Sequence, residues 1–295
     1  MSLFTSNQEK RGADVPSVER PCSLVEVGHG CRDKDHFGRR LGGARKAFQM
    51  RPCAPEINVT LPVLNEERCL VSSVERVLEA LGCFTASYEV VIADNGSTDR
   101  TAALARELEQ TYQPVRVVHL SRRGRGRALK AVWQSSGAEI LSYMDIDLST
   151  SLTHLRELIQ PLQRIECDAC IGSRRLKQST TRRGLKRELI SRAYIGLVQH
   201  WLGLSLSDFQ CGFKAFRAAA VQSVLSLVRD DSWFFDTELL ARIHWAGARI
   251  YELPVCWEED TDSRVRILPT AMTNLRGLAR LRRDRSLSVE RNRLA

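Results

Sequence analysis

An α/β domain with a mostly parallel central sheet flanked by helices is the fold this sequence predicts, on three observations. From Glu56 onward, short apolar runs alternate with segments of helical period, the pattern of βαβ units. Three polar motifs stand where apolar runs stop: Asn65-Glu66-Glu67, Asp94-Asn95-Gly96-Ser97 and Asp145-Ile146-Asp147. A chain of 295 residues, 43% hydrophobic, is also long enough for one large α/β domain or two small ones.

The elements follow in order. Residues 1–54 are rich in Gly, Arg, Ser and Pro without a sustained period, and are expected to form a mobile N-terminal extension. Ile57–Leu61 reads as a strand, leading through Pro62 to a helix with the apolar stripe Leu70, Val74, Val77, Leu78, Leu81. Glu89–Ala93 is the next strand, and Ser97 to Asp99 cap the helix after it. Val115–Leu120 leads through a glycine-rich loop to a helix around Ala128–Ser136, and the strand Ile140–Met144 follows. The domain is expected to span 55–283, with 284–295 a basic C-terminal tail. Sheets of this kind bind ligands at the carboxyl ends of their strands, so the three polar motifs should converge on one cleft.

The formal charge of +9 is carried mostly by arginine and is unevenly placed. Residues 173–193 hold Arg174, Arg175, Lys177, Arg182, Arg183, Lys186, Arg187 and Arg192 against a single Glu188. Such a cluster favours phosphates or anionic surfaces, or is a solvated basic face. No stretch reaches the ~18–20 apolar residues that span a bilayer, and the start of the chain has no charged-then-apolar leader pattern. The longest near-apolar window, Ala193 to Leu206, is broken by Gln199, His200 and Ser205 and reads as a buried or interfacial helix. The nine cysteines form no framework, which favours reduced thiols in a cytosolic setting. Cys167-Asp168-Ala169-Cys170 has zinc-ligand spacing, but no second pair matches it and Cys170 enters an apolar strand, so packing is the expected role.

No G-x-x-x-x-G-K-[ST] loop is present, and Gly124-Arg125-Gly126 lacks the third glycine of a dinucleotide fingerprint. The chemistry instead centres on Asp145-Ile146-Asp147, which ends the apolar run Ile140, Leu141, Tyr143, Met144. Residues two apart on an extended chain face the same way. Two carboxylates there, with the oxygens of a diphosphate, would complete the shell of Mg²⁺ or Mn²⁺; solvated turns also carry this pattern.

In chain order, LPVLNEE (61–67), ADNGSTD (93–99), GRGRALKAV (124–132), YMDIDLST (143–150) and IGSRR (171–175) resemble the signatures of family 2 glycosyltransferases with the GT-A fold. KRELISRAY (186–194), SDFQCGFKAFR (207–217), WFFDTELL (233–240) and PVCWEEDTDSRV (254–265) are similar to the polyprenyl-phosphate branch, the dolichyl-phosphate glucose and mannose synthases. The QCGFK and FD-x-ELL strings resemble the glucose type more. The resemblance implies a single GT-A domain that transfers a hexose, with inversion, from a nucleotide sugar (UDP-glucose favoured over GDP-mannose) to a polyprenyl phosphate.

It also implies roles. Pro62, Asn65, Glu66, Asp94, Gly96, Ser97, Arg127 and Asp145 would form the nucleotide-sugar pocket, with Asp94 on the base or ribose. Asp147, with Asp145, would hold the metal. Asp145, Asp147, Asp236, Glu238 and Arg264 would be catalytic, Arg264 folding over the donor diphosphate. Asp236 and Glu238 also fit helix N-terminal acids stabilised by the dipole. Arg174, Arg187 and Ser191 would hold the acceptor phosphate. The implied setting is the cytoplasmic face of a membrane, in peripheral contact. The common double aspartate after the second strand is Asp94-Asn95 here, which departs from the pattern.

Other classes fit less well. A processive polysaccharide synthase would show Q-x-x-R-W and membrane spans. A nucleotidyltransferase would open with a glycine-rich loop and lysine where Pro62-Val63-Leu64-Asn65 stands. A nucleic-acid binder would carry a zinc-finger, RRM or helix–turn–helix signature, and the acidic motifs would repel its ligand. A family 2 transferase with a non-lipid acceptor, or a non-catalytic nucleotide-sugar-binding protein, would share every motif.

Overall fold

The computed structural model describes residues 54–182, 185–258 and 267–294. The strand–helix alternation is present as β1 (Ile57–Val63), α1 (Leu70–Gly82), β2 (Tyr88–Asp94), α2 (Thr101–Thr111), β3 (Val115–His119), α3 (Arg125–Ser135) and β4 (Ile140–Met144). The second half adds α4 (Leu155–Gln163), β5 (Ala169–Ser173), β6 (Thr180–Arg182), α5 (Leu185–Leu202), β7 (Phe213–Arg217) and α6 (Ala218–Leu225). It ends with α7 (Phe235–Trp245), β8 (Ile250–Pro254), β9 (Cys256–Glu258) and α8 (Ile267–Leu294). That last helix runs straight through residue 284, where a separate tail was expected.

Seven strands form one sheet in the order β3-β2-β1-β4-β7-β5-β8. All pairings are parallel except those of β7, which is inserted antiparallel between β4 and β5. β6 and β9 form a small parallel pair beside it. Strands covered on both faces read as apolar runs, and β1 is buried at six of its seven positions. Pleating divides the side chains between two cores: Leu141 and Tyr143 of β4 join Trp133, Phe216 and Phe235 on one face, while Ile140 and Met144 join α1 and α4 on the other.

The cysteine pair falls where packing was expected. Cys167 and Cys170 are buried in the second core, and burial pushes the Cys167 thiol up to about 11. Of the two readings of the Ala193–Leu206 window, buried or interfacial, burial is the one observed. Ile195, Val198, Leu202, Leu204 and Leu206 are buried in the first core, so this window is not a lipid-facing surface. The exposed apolar side chains of α5 come earlier, at Leu189 and Ile190.

Candidate active site

The carboxyl ends of β1, β2 and β3 are laced together by the residues the sequence marks for the nucleotide. Asn65 takes a positive φ of 58°, and its backbone N–H donates to Ser97 Oγ at 2.9 Å. Its Oδ1 accepts the Thr98 N–H at 2.7 Å, and the Glu66 N–H donates to Thr101 Oγ1 at 2.8 Å. Asp94 is buried: one oxygen accepts the Ser97 N–H at 3.0 Å, and the other lies 2.7 Å from His119 Nδ1. Gly96 sits at φ 75° with Leu120 O 3.1 Å from where a Cβ would stand, so a side chain there would be strained and crowded. Pro62 lies in β1 opposite Ala93, one residue before Asp94.

The glycine-rich loop serves close packing. A Cβ on Gly124 would lie 2.4 Å from Asp231 O, and one on Gly126 would lie 2.6 Å from Phe235 Cβ. The segment ahead of α7 therefore rests on the start of α3. Arg127, expected at the nucleotide, instead pairs with Asp231 at 2.6 Å and helps tie that segment down, as does Lys130 at 2.5 Å. Arg125 between the glycines is the cation that reaches the cleft. Its guanidinium lies 5.0 Å from the ring centres of both Tyr143 and Trp233, and Nη2 is 2.9 Å from Asp145 Oδ1. Burial works against its charge, but Asp145 and Asp236 outweigh burial and hold it cationic. Nε and Nη2 are buried without an aligned hydrogen-bond acceptor.

The D-x-D motif sits on a turn, not on the extended strand expected. β4 ends at Met144, the Leu148 N–H bonds Asp145 O at 3.2 Å, and Leu148 takes φ 53°. Ile146 is buried in the second core, as its spacer position implies, while Asp147 is exposed. Asp145 keeps 43% of its side-chain surface open. Crowding by protein raises its pKa, Arg125 opposes the rise, and Asp147 and Asp236 add to it. The Asp145 N–H donates to Gly212 O at 3.0 Å, and a Cβ on Gly212 would stand 1.9 Å from Asp145 Oδ2. Only glycine fits beneath this carboxylate.

Behind Asp145 lies a buried polar knot. Asp236 Oδ1 accepts from the Tyr143 hydroxyl and from Lys214 Nζ at 3.4 Å, while Oδ2 is 4.0 Å from Arg125 Nη1. Lys214, wholly buried, also donates to Tyr143 Oη at 3.0 Å and to Cys211 O. Burial, then the charge of Asp236, holds the Tyr143 phenol far above its usual range, so it acts as a donor. Glu238 does not join this group. Its two oxygens bind Arg242 at 2.8 Å and Arg280 at 2.6 Å and accept the Asp230 N–H at 3.0 Å, which ties α7 to α8. Its expected catalytic place is corrected to a structural one.

Of the residues expected at the acceptor phosphate, Arg174 grips Asp208 through Nε at 2.7 Å and Nη2 at 2.9 Å, and its guanidinium lies 5.3 Å from the Trp257 ring centre. Burial would raise Asp208, but Arg174 brings it down to about 2. Ser191 is buried on α5. Arg187 lies in the first turn of that helix, but its side chain is outside the described residues, as is the whole of Arg264.

Among the described residues no group of three or more His, Cys, Asp or Glu is arranged around a metal. The donor set still fits a hard divalent cation, which is commonly held by one or two carboxylates and completed by substrate phosphates and water. Asp145 and the exposed Asp147 offer oxygen ligands. Burial, then Glu66 and more weakly Asp147, raise the Cys69 thiol to about 11.

Sequence reading did not assign roles to Arg125, Tyr143, Lys214, Trp233, Asp208 or His119. Two signals were available: the glycines flanking Arg125, and a lysine inside an otherwise apolar strand string, FKAF.

A doubly covered sheet with a carboxylate–arginine cleft at its carboxyl edge and no phosphate loop defines an α/β domain with a charged cleft at its ligand-binding edge. Residues 59–225 match the family described as Glycosyl transferase family 2, and the chain belongs to that family. It is 39% identical over 213 residues to glycosyltransferase AglD of Haloferax volcanii, a match covering 71% of this chain and 34% of that protein. The chain thus spans about a third of AglD. With human dolichyl-phosphate beta-glucosyltransferase it shares 30% identity over 227 residues, 71% of this chain and 69% of that one. The fold is shared with glucosyl-3-phosphoglycerate synthase from Mycobacterium tuberculosis, solved with Mn²⁺, UDP and phosphoglyceric acid. That match has a TM-score of 0.57 at 21% identity and covers 77% of each chain.

Proposed function

We propose that this chain transfers a hexose from a nucleotide sugar, UDP-glucose favoured, to a polyprenyl phosphate of dolichyl type, inverting the anomeric carbon. The observation that carries the reading is the Asp145–Arg125 pair at the end of β4: a carboxylate for a divalent metal and a cation for a diphosphate, 2.9 Å apart. The acceptor class is supported by the dolichyl-phosphate glucosyltransferase relative.

In this reading Asn65, Glu66, Asp94, Gly96 and Ser97 shape the nucleotide pocket, and Asp145 with Asp147 holds Mg²⁺ or Mn²⁺. When bound, the metal stabilises the charge that develops on the departing nucleoside diphosphate. Arg125 adds a cation at the same place, buried where its field is weakly screened. The acceptor phosphate monoester is already anionic near neutral pH, so it needs placement more than a general base. Arg174 serves that placement with Nη1, the terminal nitrogen outside its fork to Asp208. Arg187 and Ser191 of α5 are the other acceptor-side residues. The reading includes peripheral contact with the cytoplasmic face of a membrane.

Radiolabelled UDP-glucose and GDP-mannose, incubated separately with a short polyprenyl phosphate in detergent, with and without chelator, test the proposal. A chelator-sensitive, acid-labile lipid product from UDP-glucose is expected. The same product from GDP-mannose would change the sugar. Donor binding without lipid product would move the acceptor to a soluble phosphate, and no donor binding would overturn catalysis.

A further inference from the structure

Lys214 has no part in the transfer as proposed above, yet it is fully buried, where lysine is rarely found unless paired. It is the second residue of β7, directly across from Tyr143 on β4 and Ile171 on β5. Its ammonium has three donors and three acceptors in reach: Tyr143 Oη at 3.0 Å, Asp236 Oδ1 at 3.4 Å and Cys211 O.

The consequence lies one charge further along. Arg125 stands between two carboxylates and leans to one of them, with Asp145 at 2.9 Å and Asp236 at 4.0 Å. Asp236 is the more buried of the two, and by burial alone it would compete harder for a cation. Lys214 and Tyr143 satisfy it from the strand side, both on Oδ1. Arg125 is thereby left to Asp145.

We propose that Lys214 is a positioning residue. By neutralising Asp236 it keeps Arg125 turned to Asp145, the carboxylate open to the cleft, instead of letting it turn to the buried Asp236. This rests on the reading that the cleft takes a nucleoside diphosphate sugar and that Arg125 meets the diphosphate. Without the lysine charge, Arg125 becomes the cation nearest Asp236 and closes the 4.0 Å gap. Its contact with the ligand is then lost.

The test is calorimetric titration of the full chain with UDP and, separately, GDP, each with Mn²⁺ and without acceptor, so that binding is read apart from turnover. Lys214→Met is expected to weaken nucleotide binding about tenfold or more, the scale of one lost charge-assisted contact. The double variant Lys214→Met/Asp236→Asn removes the competitor as well, and is expected to return within about threefold of wild type. A lysine that only supported the fold would give a double variant no better than the single. Wild-type affinity in Lys214→Met, or a double variant as weak as the single, overturns the proposal.

If Lys214→Met does not fold, Tyr143→Phe decides. It keeps both charges but frees one hydrogen bond on Asp236, and binding about threefold weaker is expected, with unchanged affinity overturning the proposal. A folded wild-type protein that binds neither nucleotide overturns the reading of the cleft and this proposal with it. That result is distinct from a binding-competent wild type with an indifferent lysine.

Discussion

Replacing Gly212 by alanine places one methyl group at the tightest approach in the cleft. The new Cβ would fall 1.9 Å from Oδ2, 2.3 Å from Cγ and 2.6 Å from Oδ1 of Asp145. Ordinary carbon contacts need about 3.5 Å, so the carboxylate has to withdraw by about 1.5 Å. Two movements could relieve the clash. Shifting β7 away from β4 would break the Met144–Phe213 register and the 3.0 Å bond from Asp145 N–H to Gly212 O. Rotating the Asp145 side chain, 43% open, is the cheaper route and costs about 1 kcal/mol.

The fold therefore survives, with Tm lowered by about 2–4 °C. Catalysis is not expected to, because the rotated carboxylate leaves both Arg125 and the proposed metal position. A misplacement of about 1 Å can cost about 100-fold. Initial-rate transfer assays paired with differential scanning calorimetry should show kcat/KM down about 100-fold or more in a folded protein. A folded Gly212→Ala variant with wild-type kcat/KM would refute the claim that this carboxylate must stand where it does.

Three further changes separate the roles of the acidic groups. Asp147→Ala is expected to abolish transfer and Mn²⁺-dependent nucleotide binding with the thermal transition unmoved; turnover at the wild-type rate would remove Asp147 from the metal. Glu238→Gln leaves Arg242 and Arg280 facing a neutral group, so urea unfolding should report a loss of about 3 kcal/mol, with kcat per folded molecule kept. A collapse of kcat without that loss would return Glu238 to the chemistry. Asp208 titrates at about 2 in the folded chain, below the unfolded value near 3.9. Its contribution is complete above pH ~3.9 and is lost as pH falls through about 2, roughly 2–3 kcal/mol in all. Asp208→Asn should flatten that part of the acid-stability curve; an unchanged curve would mean the Arg174 pair is not what depresses it.

The first half of the fold was legible because each strand and helix announces itself locally. Ile57–Leu61, Glu89–Ala93 and Ile140–Met144 all lie within observed strands, and the stripe Leu70, Val74, Val77, Leu78, Leu81 is the buried face of α1. The antiparallel insertion of β7 was not legible, since pairing partners 71 residues apart leave no periodic trace. The same distance hid the site's inner half. Lys214, Tyr143 and Asp236 come from β7, β4 and α7, and only folding brings one lysine, one phenol and one acid together. Arg125 and Arg127 show the limit most sharply. They are two residues apart on one helix, so local pattern cannot say which faces the cleft. The close packing of Gly124 and Gly126 against Asp231 and Phe235 decides it.

The proposed membrane contact would be anchored at the start of α5 and on α8, outside the apolar window. The apolar window at 193–206 is spent on the core, whereas Leu189 is 71% and Ile190 45% exposed one turn earlier on α5. On α8, which packs against α5, Met272 is 53% and Leu275 41% exposed. Exposed arginines stand beside these side chains, Arg192 on α5 and Arg276 on α8, as an anionic interface would favour. Inserting Leu189 and Ile190 into lipid would contribute roughly 3 kcal/mol together, about a hundredfold in partition. Flotation with vesicles containing anionic lipid should therefore lose the double variant Leu189→Ser/Ile190→Ser while its thermal stability is unchanged. The buried change Ile195→Ser should do the reverse, lowering stability without a specific loss of flotation in the molecules that stay folded. Equal flotation of wild type and the exposed-site variant would take the start of α5 out of the interface, and no flotation of either would remove the membrane from the mechanism.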